Sequence, residues 1–302
     1  MIYLIGNPTR DKILTRDAEV ETIGGTVWYA ALLMVRLMRP VAVVGCGDAL
    51  LKSRFEEQGV NVRNFSVNGP VVHFENDYTG GERRQYAKSG ARLHISAIPP
   101  EVFEATALLV GPVLQEIDPA ILTVSRKGLA LLDAQGFLRH LTAGNRVIER
   151  LGPDAETAIC HCDILKVDAR EAQLITSTGD IDTALERMHR MGPKITIITQ
   201  GAKGARIYDG THLIQVSAPK VTVVDSTGAG DVFSAAFLAR YLDCSDPIAA
   251  GRFAVVAAAL STRAFGASGL PSQLDIEQLS NRHFLHPDAV SVRTKPLAMK
   301  RY

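Results

Sequence analysis

Short, nearly continuous apolar runs alternate with helix-patterned segments along most of this chain, and that alternation restricts the fold more than any other feature. The runs cover residues 2–5, 41–45, 108–111, 128–133, 164–167 and 195–199, each rich in Val, Ile or Leu. Helical patterns cover 26–38, 49–58, 169–176, 182–191, 231–241 and 247–265. Strands that are apolar on both faces and separated by helices predict a mainly parallel sheet covered on both sides. A length of 302 residues is ample for one large α/β domain. The 33 Lys and Arg nearly balance 32 Asp and Glu, which excludes a globally basic nucleic-acid binder. The longest apolar run, 27–35, is nine residues, far short of the ~20 that span a bilayer. The first residues read as a strand and not as a signal peptide. Four cysteines in a chain this long make no disulfide framework. The expectation is one soluble, cytoplasmic domain over 1–302, with neither a nucleic acid nor a membrane as partner.

Two stretches break the rhythm. Residues 69–95 place strand-like runs on either side of Thr79-Gly80-Gly81-Glu82 with no helix, which predicts a β-hairpin insertion paired with 12–22, a small β lid. In 204–215, Asp209-Gly210 lies between two alternating runs and predicts a second hairpin. From about Asn281 the chain is polar and weakly patterned, and a loosely held tail is expected.

The most informative string is Val223-Val224-Asp225-Ser226-Thr227-Gly228-Ala229-Gly230-Asp231, followed by the apolar run Val232-Phe233-Ser234-Ala235-Ala236-Phe237-Leu238. A strand end, a turn of small residues and a helix start put backbone N–H groups where unpaired donors and the helix dipole attract anions. A carboxylate at the same place, Asp231, is out of keeping with a phosphate unless it takes a proton from an attacking hydroxyl. A base beside an anion hole is what phosphoryl transfer to an alcohol requires. The string resembles the signature of the PfkB (ribokinase-like) carbohydrate kinase family, Asp-Thr-x-Gly-Ala-Gly-Asp before a small apolar helix, with Ser226 in place of Thr. The resemblance covers about residues 1–270. It implies a ribokinase-like three-layer α/β/α sandwich with a mainly parallel sheet and a small β lid. It also implies ATP and Mg²⁺, with Asp231 as base and the N–H groups of Gly228, Ala229 and Gly230 around the phosphoryl group.

Other positions follow the same pattern. Gly24-Gly25 opens a helix, as the family's glycine pair does, although the Asn usual four residues later is Tyr29 here. The resemblance makes Asp11 and the backbone at Gly24 and Gly25 substrate contacts, with Asp11 able to accept from two vicinal hydroxyls. Val44-Gly45-Cys46-Gly47-Asp48 and the Gly59-Val60 pair look like family fold markers. The family's Asn-x-x-Glu falls at Asp168-Ala169-Arg170-Glu171, which places Asp168 near the nucleotide phosphates and Glu171 at the metal. Two carboxylates suit a hard cation that keeps most of its waters; read without the resemblance, they are also a capped helix start. Thr199-Gln200-Gly201-Ala202-Lys203-Gly204 resembles the family's nucleotide turn, so Thr199, Gly201 and Gly204 are expected at the nucleotide. There is no P-loop string.

The acceptor is a small sugar or cyclitol in this reading. After strand 128–133, Gln135 and Arg139 stand at the ligand edge of the sheet and resemble contacts of the inositol-kinase-like branch, which favours a myo-inositol-like polyol. Asn76, Arg83, Arg84 and Gln85 near the lid tip reach the polyol, form a solvated face or meet a second copy, since lids of this family also make homodimer contacts. A nucleoside kinase, with Trp28, Tyr29 or Phe74 as an aromatic slot, is the alternative enzyme, and a non-catalytic ligand sensor on the same fold is the alternative class. Cys160-His161-Cys162 has no second pair at zinc spacing and reads as structural.

Overall fold

The computed structural model describes residues 1–16, 18–80 and 84–295. In chain order it runs β1 (Ile2–Ile5), β2 (Thr9–Leu14), β3 (Glu19–Gly24), α1 (Thr26–Arg36), β4 (Val41–Cys46), α2 (Ala49–Glu57), β5 (Asn61–Ser66), β6 (Val72–Asp77), β7 (Arg84–Lys88) and β8 (Ala107–Val110). Then come α3 (Ala120–Thr123), β9 (Leu129–Asp133), α4 (Gln135–Leu138), β10 (Arg139–Leu141), β11 (Val147–Glu149), α5 (Pro153–His161), β12 (Ile164–Asp168), α6 (Ala169–Thr176) and α7 (Ile181–His189). The last part holds β13 (Ile195–Thr199), β14 (Ala205–Tyr208), β15 (His212–Val216), α8 (Ala229–Cys244), α9 (Pro247–Ser261), α10 (Gln273–His283) and β16 (Val290–Thr294).

Among the described residues the main sheet has ten strands in the order β16-β15-β14-β13-β12-β9-β8-β1-β4-β5. The seven from β13 to β5 are mutually parallel, while β14, β15 and β16 add antiparallel at one edge. Strand alternation divides the core. Leu4, Val43, Leu109, Leu131, Ile164 and Ile197 join α1, α8 and α9 in one layer. Ile5, Val44, Val110, Leu132, Leu165 and Ile198 join α5, α6 and α7 in the other. The result is a three-layer α/β/α sandwich.

A second sheet, β3-β2-β6-β7, stands over the carboxyl edge of the first. β2 and β3 form one antiparallel hairpin, β6 and β7 another, and β2 joins them by pairing parallel with β6. This is the expected lid, with 9–24 supplying half of it. Asp11 pairs with Phe74 and Phe74 with Ala87, so the three side chains share a face. That face looks toward the body: Val72, Phe74 and Ala87 pack on Val113 and Leu114, with Leu141 and Val147 alongside. The expected lid-tip residues Gly81, Glu82 and Arg83 lie outside the described residues.

One expectation is corrected. The segment from 281 is not loose through Thr294: α10 extends to His283, and β16 pairs with β15 along five residues as the edge of the main sheet. Residues 296–302 lie outside the described residues. Among the described residues no helix is long and apolar enough to cross a membrane.

Candidate active site

The turn at 225–230 is shaped by its small residues. Asp225 accepts from the Thr227 N–H at 2.9 Å and from the Gly266 N–H at 3.0 Å, and the N–H groups of Val224 and Asp225 reach the Thr262 carbonyl at the end of α9. Gly228 caps α8 with φ +76°, and a Cβ there would lie 2.7 Å from the Tyr29 ring. Only glycine meets both the left-handed backbone and that close approach. The Ala229 N–H turns back to the Ser226 carbonyl at 3.3 Å. The N–H groups of Gly228, Gly230 and Asp231 have no acceptor among the described residues. The open donors are therefore 228, 230 and 231, and not the expected 228, 229 and 230.

Asp231 is only 9% exposed. Its Oδ1 accepts from Thr26 Oγ1 at 2.7 Å and from Gln135 Nε2 at 3.0 Å, and Gln135 Nε2 also donates to Thr26 Oγ1 at 2.9 Å. No hydrogen bond reaches Oδ2 among the described residues. One oxygen is thus held and the other is left for a ligand. Burial and the nearby Asp133 push the carboxyl up to about 6, against the opposing pull of Lys166, the Thr26 hydroxyl and Arg139. That is close to the range in which a general base works best near neutral pH.

Gln135 was expected at the acceptor; here its amide NH₂ donates to the Asp231 carboxylate and the Thr26 hydroxyl. Arg139, at the start of β10, stands 5.6 Å over the Phe74 ring, with Nη1 3.4 Å from the Val113 carbonyl. It joins lid to body at the mouth of the site. Asp11 is half-buried on the inward lid face, its Oδ1 accepting from Thr9 Oγ1 at 2.6 Å. A Cβ at Gly24 would fall 2.2 Å from Asp11 Oδ2, so a glycine is needed for the carboxylate to lie there. Gly25 follows as the cap of α1 with φ +91°. Tyr29, one turn into α1, is 2% exposed, and its hydroxyl has no partner among the described residues. Burial, then Asp231, Asp11 and Asp225, push this phenol well above the usual range. Asp231, Asp11 and Asp225 therefore all bear on one side chain.

Where β12 meets α6, Asp168 and Glu171 form a capping box. Asp168 Oδ1 accepts from the N–H groups of Arg170 and Glu171, and Glu171 Oε2 accepts from the Asp168 N–H at 2.7 Å. Burial raises Glu171 to about 7, with Lys166 opposing and Asp168 and Asp133 adding to the rise. Each carboxylate keeps one oxygen clear of the box. A magnesium ion that retains waters and shares phosphate oxygens needs little more from the protein, so this pair fits one. Among the described residues no group of three or more His, Cys, Asp or Glu forms a closed metal cage. Thr199 pairs in register with Asp168 across β12 and β13, which places it beside the capping box. Gly201 is exposed two residues on. Gly204 is buried, and a Cβ there would strike the Val216 carbonyl at 2.0 Å. Packing of the hairpin against the Val216 carbonyl accounts for that glycine.

The sequence reading did not reach Thr26, Asp133 or Lys166. Asp133 and Lys166 are register partners on β9 and β12 and form an ion pair at 2.9 Å, 0% and 5% exposed. Burial alone would lower the lysine, but Asp133, Glu171 and Asp231 hold it above its usual range. A charged residue inside a strand covered on both faces has to be paired, and that was the available signal. Cys162 is buried and Cys160 exposed, and His161 Nδ1 lies 2.8 Å from the Thr157 carbonyl, in keeping with a structural segment.

Comparison with known proteins agrees with this geometry. Residues 1–273 match the pfkB family carbohydrate kinase model. A ribokinase of Bacillus subtilis (strain 168) is 35% identical over 128 residues, 42% of this chain and 42% of that protein. The match thus spans less than half the length of that relative. A pyrophosphate-dependent kinase in the ribokinase family, complexed with a pyrophosphate analog and myo-inositol, superposes with a TM-score of 0.80 at 24% identity, over 92% of this chain and 100% of that one. Ribokinase of Arabidopsis thaliana complexed with ribose and ATP gives 0.76 at 22% identity, over 92% and 98%. At these identities the structural likeness shows the fold. The motif string, the layered body with its lid and the match over nine-tenths of the chain agree: this chain belongs to the pfkB family of carbohydrate kinases.

Proposed function

We propose that the protein transfers the γ-phosphoryl group of ATP to a hydroxyl of a small sugar or cyclitol, with a myo-inositol-like polyol as the first choice. The observation that carries this reading is the half-held Asp231 carboxylate beside the open N–H groups of Gly228 and Gly230. Asp11 accepts hydrogen bonds from adjacent acceptor hydroxyls and turns a third toward Asp231 Oδ2. The acceptor oxygen forms its bond to phosphorus as the bond from phosphorus to the bridging oxygen of ADP breaks. The acceptor proton goes to Asp231, and ADP leaves with the electron pair. The N–H groups at the start of α8 bind the charge on the transferring phosphoryl oxygens. Asp168 and Glu171 would hold Mg²⁺ largely through waters, and the bound ion neutralises phosphate charge.

Support for the polyol comes from Asp11 and Arg139, and from the myo-inositol held by the structurally similar pyrophosphate-dependent kinase; Gln135 lends none, being engaged at the base. Support for a nucleotide donor comes from Val223, Val224 and Phe265, apolar and 60%, 47% and 74% exposed near the donor turn, where a purine gives them cover and pyrophosphate does not. The test is ADP release from Mg·ATP over myo-inositol, other cyclitols, fructose, ribose, 2-keto-3-deoxygluconate, adenosine, cytidine and inosine, with pyrophosphate as a second donor. Strong turnover on a cyclitol or sugar supports the reading. Turnover confined to a nucleoside, or supported by pyrophosphate alone, overturns it.

A further inference from the structure

Nothing in the transfer step above uses Asp133 or Lys166, yet both lie against its machinery. Asp133 Oδ2 accepts from Lys166 Nζ at 2.9 Å and from Ser234 Oγ at 2.9 Å. Ser234 sits one turn along α8 from Gly230 and lies 3.2 Å from the Gly230 carbonyl. A Cβ at Gly230 would be only 2.8 Å from Lys166 Nζ, so the ammonium presses on the backbone of the anion-binding turn. Strand, ion pair and first helical turn form one packed unit.

We propose that Lys166 is a positioning residue for phosphoryl transfer: its ammonium, held by Asp133 behind Gly230, gives the first turn of α8 a fixed, buried positive charge that acts on the transferring group. The charge balance calls for it. Asp133, Asp231 and Glu171 are three buried carboxyl groups with Lys166 between them, and a phosphoryl group arriving at Gly230 adds more negative charge to the same region. In a low-dielectric site a preplaced cation lowers the energy of that charge without reorganisation. Folding alone gives no reason for the pair, because a buried ion pair replaced by apolar residues of similar size is often neutral or stabilising.

The proposal rests on the kinase reading, and two arms separate their failures. In the first, turnover is measured with the best acceptor of the panel. Lys166→Met is expected to lower kcat about 100-fold, with both KM values within about 3-fold of wild type. Lys166→Arg keeps the charge and retains most of kcat. The double variant Asp133→Leu/Lys166→Met is expected to regain the thermal midpoint lost by Lys166→Met without regaining kcat. The double variant also carries the test if Lys166→Met does not fold. The second arm needs no acceptor: Mg·ADP with aluminium fluoride stands in for the transferring group. Lys166→Met is expected to weaken its binding about 100-fold while ADP alone binds within about 3-fold. Wild-type kcat in Lys166→Met, recovery of kcat in the double variant, or unchanged binding of ADP with aluminium fluoride each overturns the proposal. A panel without an acceptor overturns only the sugar reading and leaves the second arm to decide.

Discussion

At Asp231 the burial that raises the carboxyl also suits the base role proposed for it, and both effects are measurable. Asp231→Asn keeps an oxygen to accept from Thr26 and Gln135 but cannot take a proton. We expect kcat to fall roughly 1,000-fold with KM values little changed. Since burial pushes the carboxyl up to about 6 and the proposed role needs it ionised, kcat/KM is expected to rise with pH to a plateau above about 7. Thr26→Val removes a hydrogen bond that favours the charged form and is expected to move that rise to higher pH. Stability runs in the opposite direction. An unfolded aspartate carboxyl titrates near its ordinary 3.8, so between that pH and about 6 the folded state holds the extra proton. The contribution of Asp231 to stability therefore falls as pH rises through this window. Asp231→Asn is expected to raise the thermal midpoint, more at pH 8 than at pH 5; an equal change at both values would refute the shift.

At the scale of elements, legibility in the sequence followed burial. Strands covered on both faces, such as β8, β9 and β13, appear as unbroken apolar runs and were read to within about a residue of their bounds. β5 was not read, because Asn61-Val62-Arg63-Asn64-Phe65-Ser66 holds only two apolar residues, Val62 and Phe65, set three apart by a register shift at the sheet edge. β16 is mostly exposed and has almost no apolar signal; only its pairing with β15 makes it a strand. The site divides in the same way. Motif positions such as Asp231, Asp11 and Glu171 were legible, whereas Thr26 and Lys166 owe their places to chain segments far apart in sequence, 205 residues in the case of Thr26 and Asp231. Two predictions belong here. Gly228→Ala puts a methyl against the Tyr29 ring at a left-handed φ and should cost about 1–3 kcal/mol. Combined with Tyr29→Leu, urea melts should show the two changes to be non-additive by at least about 0.5 kcal/mol, as contact implies. Removing 290–302 uncovers the β15 edge and is expected to lower the thermal midpoint and promote self-association in light scattering.

For the whole molecule, the lid and body meet at a small interface that also bounds the site. Phe74 carries much of it: it is 4% exposed, shares its face with Asp11 and lies beneath the Arg139 guanidinium. The lid sheet is hydrogen-bonded within itself and meets the body through a separate apolar cluster and a backbone bond from the Ala87 N–H to the Asn145 carbonyl, so loosening that cluster should open the lid without unfolding the ten-stranded sheet. In the proposed reaction a closed lid would keep water from Asp231 and the donor, since a base able to deprotonate a sugar hydroxyl can also activate water. Phe74→Ala is therefore expected to raise the acceptor KM about tenfold and to leave the thermal midpoint of the body nearly unchanged. It should also raise the ATP hydrolysed per molecule of phosphorylated product above one. Coupled assays for ADP and for product on the same reaction give that ratio directly. A ratio that stays at one while the acceptor KM rises would mean that Phe74 serves binding alone, and that water is excluded by the body rather than by the lid.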